Sequence, residues 1–159
     1  MRTLKSALIG AGICGILGPA IALALFNIEM GAFSIRQCIT LVYLVLKEWI
    51  FAAAAIGPEA FVLGAAAGCL LQSVADRCRS MKATLVAAAM IGVALGSAVP
   101  TTALLIAYKS SGPREGYSLK GEMRSSLPVA ATTGVICAFL VLWVLHRMHL
   151  LYRLKKRTS

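Results

Sequence analysis

Four apolar runs dominate this chain: Ala7 to Ile28, Ile50 to Leu71, Ala83 to Ala107 and Pro128 to Leu145. Each is close to the roughly 20 residues that cross about 30 Å of hydrocarbon as a helix rising about 1.5 Å per residue. A buried soluble core does not call for several separate runs of this length. The rest of the composition agrees: 59% of the 159 residues are hydrophobic and 14% are charged, against roughly 25% charged in a soluble domain. The mean hydropathy is +0.83. The fold class expected is therefore an all-α integral membrane protein, a bundle of four transmembrane helices in a single membrane domain spanning residues 1–159.

The first run follows Arg2 and Lys5, an arrangement shared with secretory signals, and "AIALA" (Ala20–Ala24) offers small residues for cleavage. Its length and the spans that follow favour an uncleaved first helix. The second region is ambiguous, because Cys38 to Leu71 is interrupted by Lys47 and Glu48. One threading places an interfacial helix over about 34–49 and a span over 50–71. The other makes two spans with a turn at Gly57-Pro58, five in all, and carries two charges into the bilayer, where charge is costly. An outer loop follows at 108–127 and a basic tail at 146–159.

The net charge of +10 raises the question of nucleic acid. The basic residues lie in loops and tails with no aromatic interleaving, so positive-inside bias explains them better. With the N-terminus inside, the 16 Lys and Arg residues divide ten inside to six outside. Both termini are expected in the cytoplasm, in a plasma or inner membrane. The expected partners are the lipid bilayer, other membrane subunits or further copies of the chain, and not nucleic acid.

Small residues recur every fourth position in each span: Ser6, Gly10, Cys14, Gly18 and Ala22; Ala60, Gly64 and Gly68; Ala88, Gly92 and Gly96; Ala130, Gly134 and Ala138. This spacing sets each series on one helix face, and small faces let helix backbones approach closely in lipid. Gly18, Gly64, Gly68, Gly92, Gly96 and Gly134 are the expected packing positions.

Three prolines, Pro19, Pro58 and Pro100, fall within spans at similar depth and are expected helix breaks. Each removes one helical hydrogen bond and frees the carbonyl four residues earlier, at Gly15, Ala54 or Gly96. Ser97, Thr101, Thr102, Thr132 and Thr133 are candidate partners for those carbonyls. Glu59 would lie about 13 Å inside the second span. A charge there costs roughly 3 kcal/mol, about what the span's eight Leu, Ile, Phe and Val side chains return. No Lys, Arg or His lies in a span to pair with it, so Glu59 either carries its proton or faces a water-filled cavity. Glu59 with Ser97 and Thr101 is thus a candidate ion or proton site. The competing reading makes Gly-Pro-Glu a helix start, with Pro in the first position and Glu in the first turn.

His146 and His149, three apart, lack a third ligand and read as interfacial rather than metal-binding. The cysteines, Cys14, Cys38, Cys69, Cys78 and Cys137, are odd in number and irregularly spaced, which supports neither a disulfide framework nor a zinc site. No nucleophile elbow, phosphate loop or paired carboxylates occur in the sequence. The chain is expected to be a non-enzyme without cofactor: an accessory or assembly subunit, or a self-associating bundle. The alternative is a small proton- or cation-coupled transporter or channel using Glu59.

Overall fold

A computed structural model describes residues 2–29, 57–78, 80–111 and 119–148. The described chain is all helical, with no strand among these residues, and holds four helices long and apolar enough to cross a membrane. The first pass is built from α1 (Arg2–Gly12), a π-helical turn (Ile13–Leu17) and α2 (Gly18–Glu29). The others are α3 (Gly57–Arg77), α4 (Met81–Ser111) and α5 (Leu119–Arg147).

The passes alternate in direction. Ser6 lies against Gly68 and Gly10 against Gly64, so α1 and α3 run antiparallel. Three residues separate α3 from α4, and Ser80 caps the new helix: its Oγ accepts the Ala83 N–H at 3.1 Å, as an N-cap side chain does for the third helical residue. Gly92 faces Gly134 and Gly96 faces Ala130, so α4 and α5 are antiparallel as well. Both described ends, Arg2 and Met148, therefore sit at one end of the bundle. Lys5, Arg77, Lys82 and Arg147 gather at that same end.

The two glycine contacts are backbone to backbone. A Cβ built on Gly92 would lie 2.6 Å from the Gly134 carbonyl oxygen, and one on Gly134 would overlap the Gly92 carbonyl oxygen. Gly10, Gly64 and Gly68 are equally closed: their added Cβ atoms would collide with Gly64 O, Gly10 O and Ser6 O. Gly18 is looser, with only the Cys137 sulfur at 3.9 Å. The small-residue faces of α1 with α3, and of α4 with α5, thus meet within one chain.

The two pairs are joined at the end that carries the termini. Leu71 and Ala75 of α3, Ala88 of α4, and Ala138, Val141, Leu142 and Leu145 of α5 form one buried cluster, with Ile9, Ile13 and Ile91 packed against it. Leu71, Val141 and Leu145 are completely buried. The Ser6 hydroxyl donates to Gln72 Oε1 at 2.5 Å, so the two buried polar groups satisfy each other across the α1–α3 contact.

Several expectations shift. The described part of the second span, Gly57–Arg77, runs past Leu71 through Gln72, Ser73 and Asp76; residues 50–56 and the expected interfacial helix at 34–49 are outside the described residues. The loop expected at 108–127 is helical at both edges, since α4 runs to Ser111 and α5 begins at Leu119. Leu119, Lys120, Glu122, Met123 and Arg124 are good helix formers that outweigh the turn signal of Gly121. Pro128, taken as the start of the fourth span, lies inside α5 and is exposed. Pro100 does not interrupt the helical run of α4. His146 and Arg147, assigned to the tail, still belong to α5, and residues 149–159 are outside the described residues.

Substituting Gly92 or Gly96 with Leu should lower stability by about 3 kcal/mol, the upper end of overpacking costs, because backbone on the facing helix cannot move aside. Thermal unfolding in detergent measures it, and an unchanged midpoint would disprove the contact. Ser6→Ala should cost about 1–2 kcal/mol by leaving Gln72 Oε1 buried without its donor. The double variant Ser6→Ala, Gln72→Leu should cost less than the two single changes together.

Candidate functional site: an apolar cavity inside the bundle

Beyond the cluster, toward the end away from the termini, the helices line a half-open cavity of about 370 Å³. One end is bounded by Cys14, Ile91, Cys137 and Ala138, next to the buried cluster. Phe26 of α2, Val99 of α4 and Ser126 of α5 bound the other. From Cys137 to Ser126 along α5 is about 16 Å at the helical rise, so the cavity is elongated along the bundle.

Its shape follows from local sequence. The π turn at Ile13–Leu17 ends where the Gly18 N–H bonds the Ile13 carbonyl, five residues back. Pro19 comes next. In a regular α-helix its ring would crowd the Gly15 carbonyl, and the widened turn makes room for it. The break expected at Pro19 is therefore a π turn placed just upstream, and α2 continues the pass with Pro19, Ala22, Leu23 and Phe26 on the cavity wall. Small residues at Ala60, Gly64, Ala67, Gly92, Gly96, Ala130 and Gly134 supply much of the remaining wall. They bring the backbones together in pairs but send nothing larger than a methyl group into the space between the pairs.

The polar groups on the wall are few. Glu59 enters from the first described turn of α3 and is half-buried; Ser126 and Thr133 enter from α5. Cys14 and Cys137 bring their thiols into hydrogen-bonding contact, and neither is in a disulfide. Ser97 and Thr101 are absent from the described wall. Each is turned to its own helix: Ser97 Oγ donates to the Val93 carbonyl at 2.7 Å and Thr101 Oγ1 to the Ser97 carbonyl at 2.7 Å. Thr132 and Thr133 do the same to Pro128 and Val129, both at 2.8 Å. The hydroxyls expected to serve the proline-freed carbonyls at Gly15 and Gly96 thus bond the carbonyl four residues behind them, a contact available anywhere in a helix. The structure does not assemble Glu59, Ser97 and Thr101 into one constellation.

Pro58 is exposed, and Gly57 is buried with its added Cβ 4.0 Å from the Gly15 carbonyl oxygen. Among the described residues no group of three or more His, Cys, Asp or Glu is placed to hold a metal ion. The Cys14–Cys137 pairing across helices had no sequence signal beyond the two residues' membership in small-residue faces.

The cavity is half-open, and its described wall is almost wholly apolar. Water is a poor filler of such a space, since it needs two to four polar partners at each position.

The chain matches no family model, and no curated protein or solved structure matches it.

Enlarging the closed end tests the seal. Leu71→Ala should cost about 3 kcal/mol, measurable as a lower unfolding midpoint in detergent; full retention of stability would show that the cluster is not the packing centre.

Proposed function

We propose that this protein is a non-enzymatic multi-pass membrane protein acting through helix packing, as an accessory or assembly subunit of a membrane complex. The observation that carries this reading is what faces outward. The small-residue faces are already consumed within the chain, so the bundle is a preformed unit. Its outer surface presents Leu4, Leu8, Val62, Val86, Met90 and Trp143, all between 61% and 70% exposed. Large apolar groups on every pass suit lipid and the flanks of other membrane helices, and suit water badly. On this reading both termini lie in the cytoplasm, at a plasma or inner membrane, and the basic residues Arg2, Lys5, Arg77, Lys82 and Arg147 at the terminal end support it.

Extraction from native membranes in mild detergent, followed by mass analysis of the intact particle, tests this. A stoichiometric set of different subunits is the expected result. The chain recovered alone as a monomer would overturn it, and a homo-oligomer would redirect it to self-association.

A second reading has its own observation: Glu59 stands on the cavity wall with Ser126 and Thr133, the arrangement a proton or cation site would use. Against it, the cluster of Leu71, Val141 and Leu145 closes the path toward the termini. If this reading holds, liposomes carrying the protein should show proton or cation flux that Glu59→Gln abolishes. Equal flux in both variants, or none in either, removes it.

A further inference from the structure

We propose that Cys14 and Cys137 form a redox pair that an organic hydroperoxide closes to a disulfide, stapling the first pass to α5. Three placements bring the two sulfurs together. Cys14 sits in the π turn and Cys137 in α5, and these elements pack directly on each other. Along the bundle, Cys14 lies about 18 Å from Arg2 and Cys137 about 15 Å from Arg147, so both stand at similar depth. The Cys137 sulfur reaches the first pass itself: a Cβ added to Gly18, one turn beyond Cys14, would meet it at 3.9 Å. The thiols are in hydrogen-bonding contact, and neither is bonded to another sulfur. A disulfide holds its sulfurs about 2.05 Å apart, so sulfurs already in contact need only a short approach. The other described cysteines are set apart. Cys69 Sγ lies 3.9 Å from the Thr3 carbonyl oxygen, about 16 Å short of Cys14 along the first pass, and Cys78 follows the end of α3.

The bond would join the two helix pairs. Cys14 belongs to the pair of α1 with α3, where a Cβ added to Gly64 would lie 2.6 Å from Cys14 Cβ. Cys137 belongs to the pair of α4 with α5. Side-chain packing in the terminal cluster already holds the pairs together. The disulfide adds a covalent tie between them where that cluster gives way to the cavity. It forms within one chain whatever the partners, so this staple and the accessory role fail separately.

The oxidant class follows from the setting. Both cysteines line the half-open apolar cavity, which admits a hydrocarbon-borne peroxide more readily than the water-borne thiols that keep cytosolic cysteines reduced. Cys14 is partly exposed and Cys137 is buried, so Cys14 is attacked first, since oxidation favours the accessible thiol. Its sulfur bonds one peroxide oxygen as the O–O bond breaks, and its proton leaves with the other oxygen as an alcohol. The Cys137 sulfur then bonds the Cys14 sulfur, and the hydroxyl on Cys14 departs as water with the Cys137 proton. The two thiols together lose two electrons, and the hydroperoxide gains them.

The experiment treats the full-length reduced protein in vesicles with cumene hydroperoxide, blocks the remaining thiols with iodoacetamide and maps the cysteines by mass spectrometry. The expected product is a chain lighter by two hydrogens with Cys14 joined to Cys137, and dithiothreitol should restore both thiols. Its unfolding midpoint in detergent should rise by about 5–15 °C on oxidation. In Cys137→Ala the same treatment should leave a sulfenic acid at Cys14 that dimedone traps. In Cys14→Ala no dimedone adduct should form at Cys137. No disulfide, a disulfide from Cys14 or Cys137 to any other cysteine, or one between chains would overturn the pair. An unchanged midpoint in the oxidised chain would overturn the staple, and dimedone on Cys137 rather than Cys14 would overturn the order of attack.

Discussion

Backbone-to-backbone contact at glycine is what the rest of this structure depends on. In a membrane, where lipid tails are as apolar as leucine, no hydrophobic drive brings helices together, and association rests on close van der Waals packing. Gly10 with Gly64 and Gly68, and Gly92 and Gly96 with Gly134, bring two helix pairs so near that an added Cβ has no room. Each pair then behaves as one rigid slab. The position of every other feature follows from how the two slabs meet.

They meet well at one end and poorly at the other. At the terminal end Leu71, Val141 and Leu145 fill the space between slabs completely, and Ser6 with Gln72 satisfies the polar remainder. Toward the other end the facing positions are Ala60, Ala67, Gly96, Ala130 and Gly134. The residues that permit close approach within a slab are too small to reach across to the other. Tight pairing and a hollow interior are therefore two consequences of the same small side chains. The π turn before Pro19 adds to the hollow by carrying α2 past the proline while keeping the pass continuous.

Much of the helix content was legible because it rests on local chemistry: apolar length and the small residue at every fourth position. Boundaries were read less well. Gly121 and Pro128 are turn signals in isolation, yet α5 runs through both, neighbours with strong helix propensity outweighing the glycine. The hydroxyls misled for a related reason. Ser97, Thr101 and Thr133 look available in a one-dimensional reading, but a serine or threonine in a helix has its own carbonyl four residues back as a nearer partner than any freed group elsewhere.

By itself the sequence determined that this chain forms several long apolar helices with small faces, because length, hydropathy and the four-residue repeat are properties of single segments. Only the tertiary structure decided that those faces close within one chain, that Cys14 meets Cys137, and that Glu59 stands on a cavity wall while Ser97 and Thr101 do not. These facts depend on which helices neighbour one another and at what register. Composition does not carry that, because every span offers a similar small face, and choosing among them takes the mutual fit of all four in space.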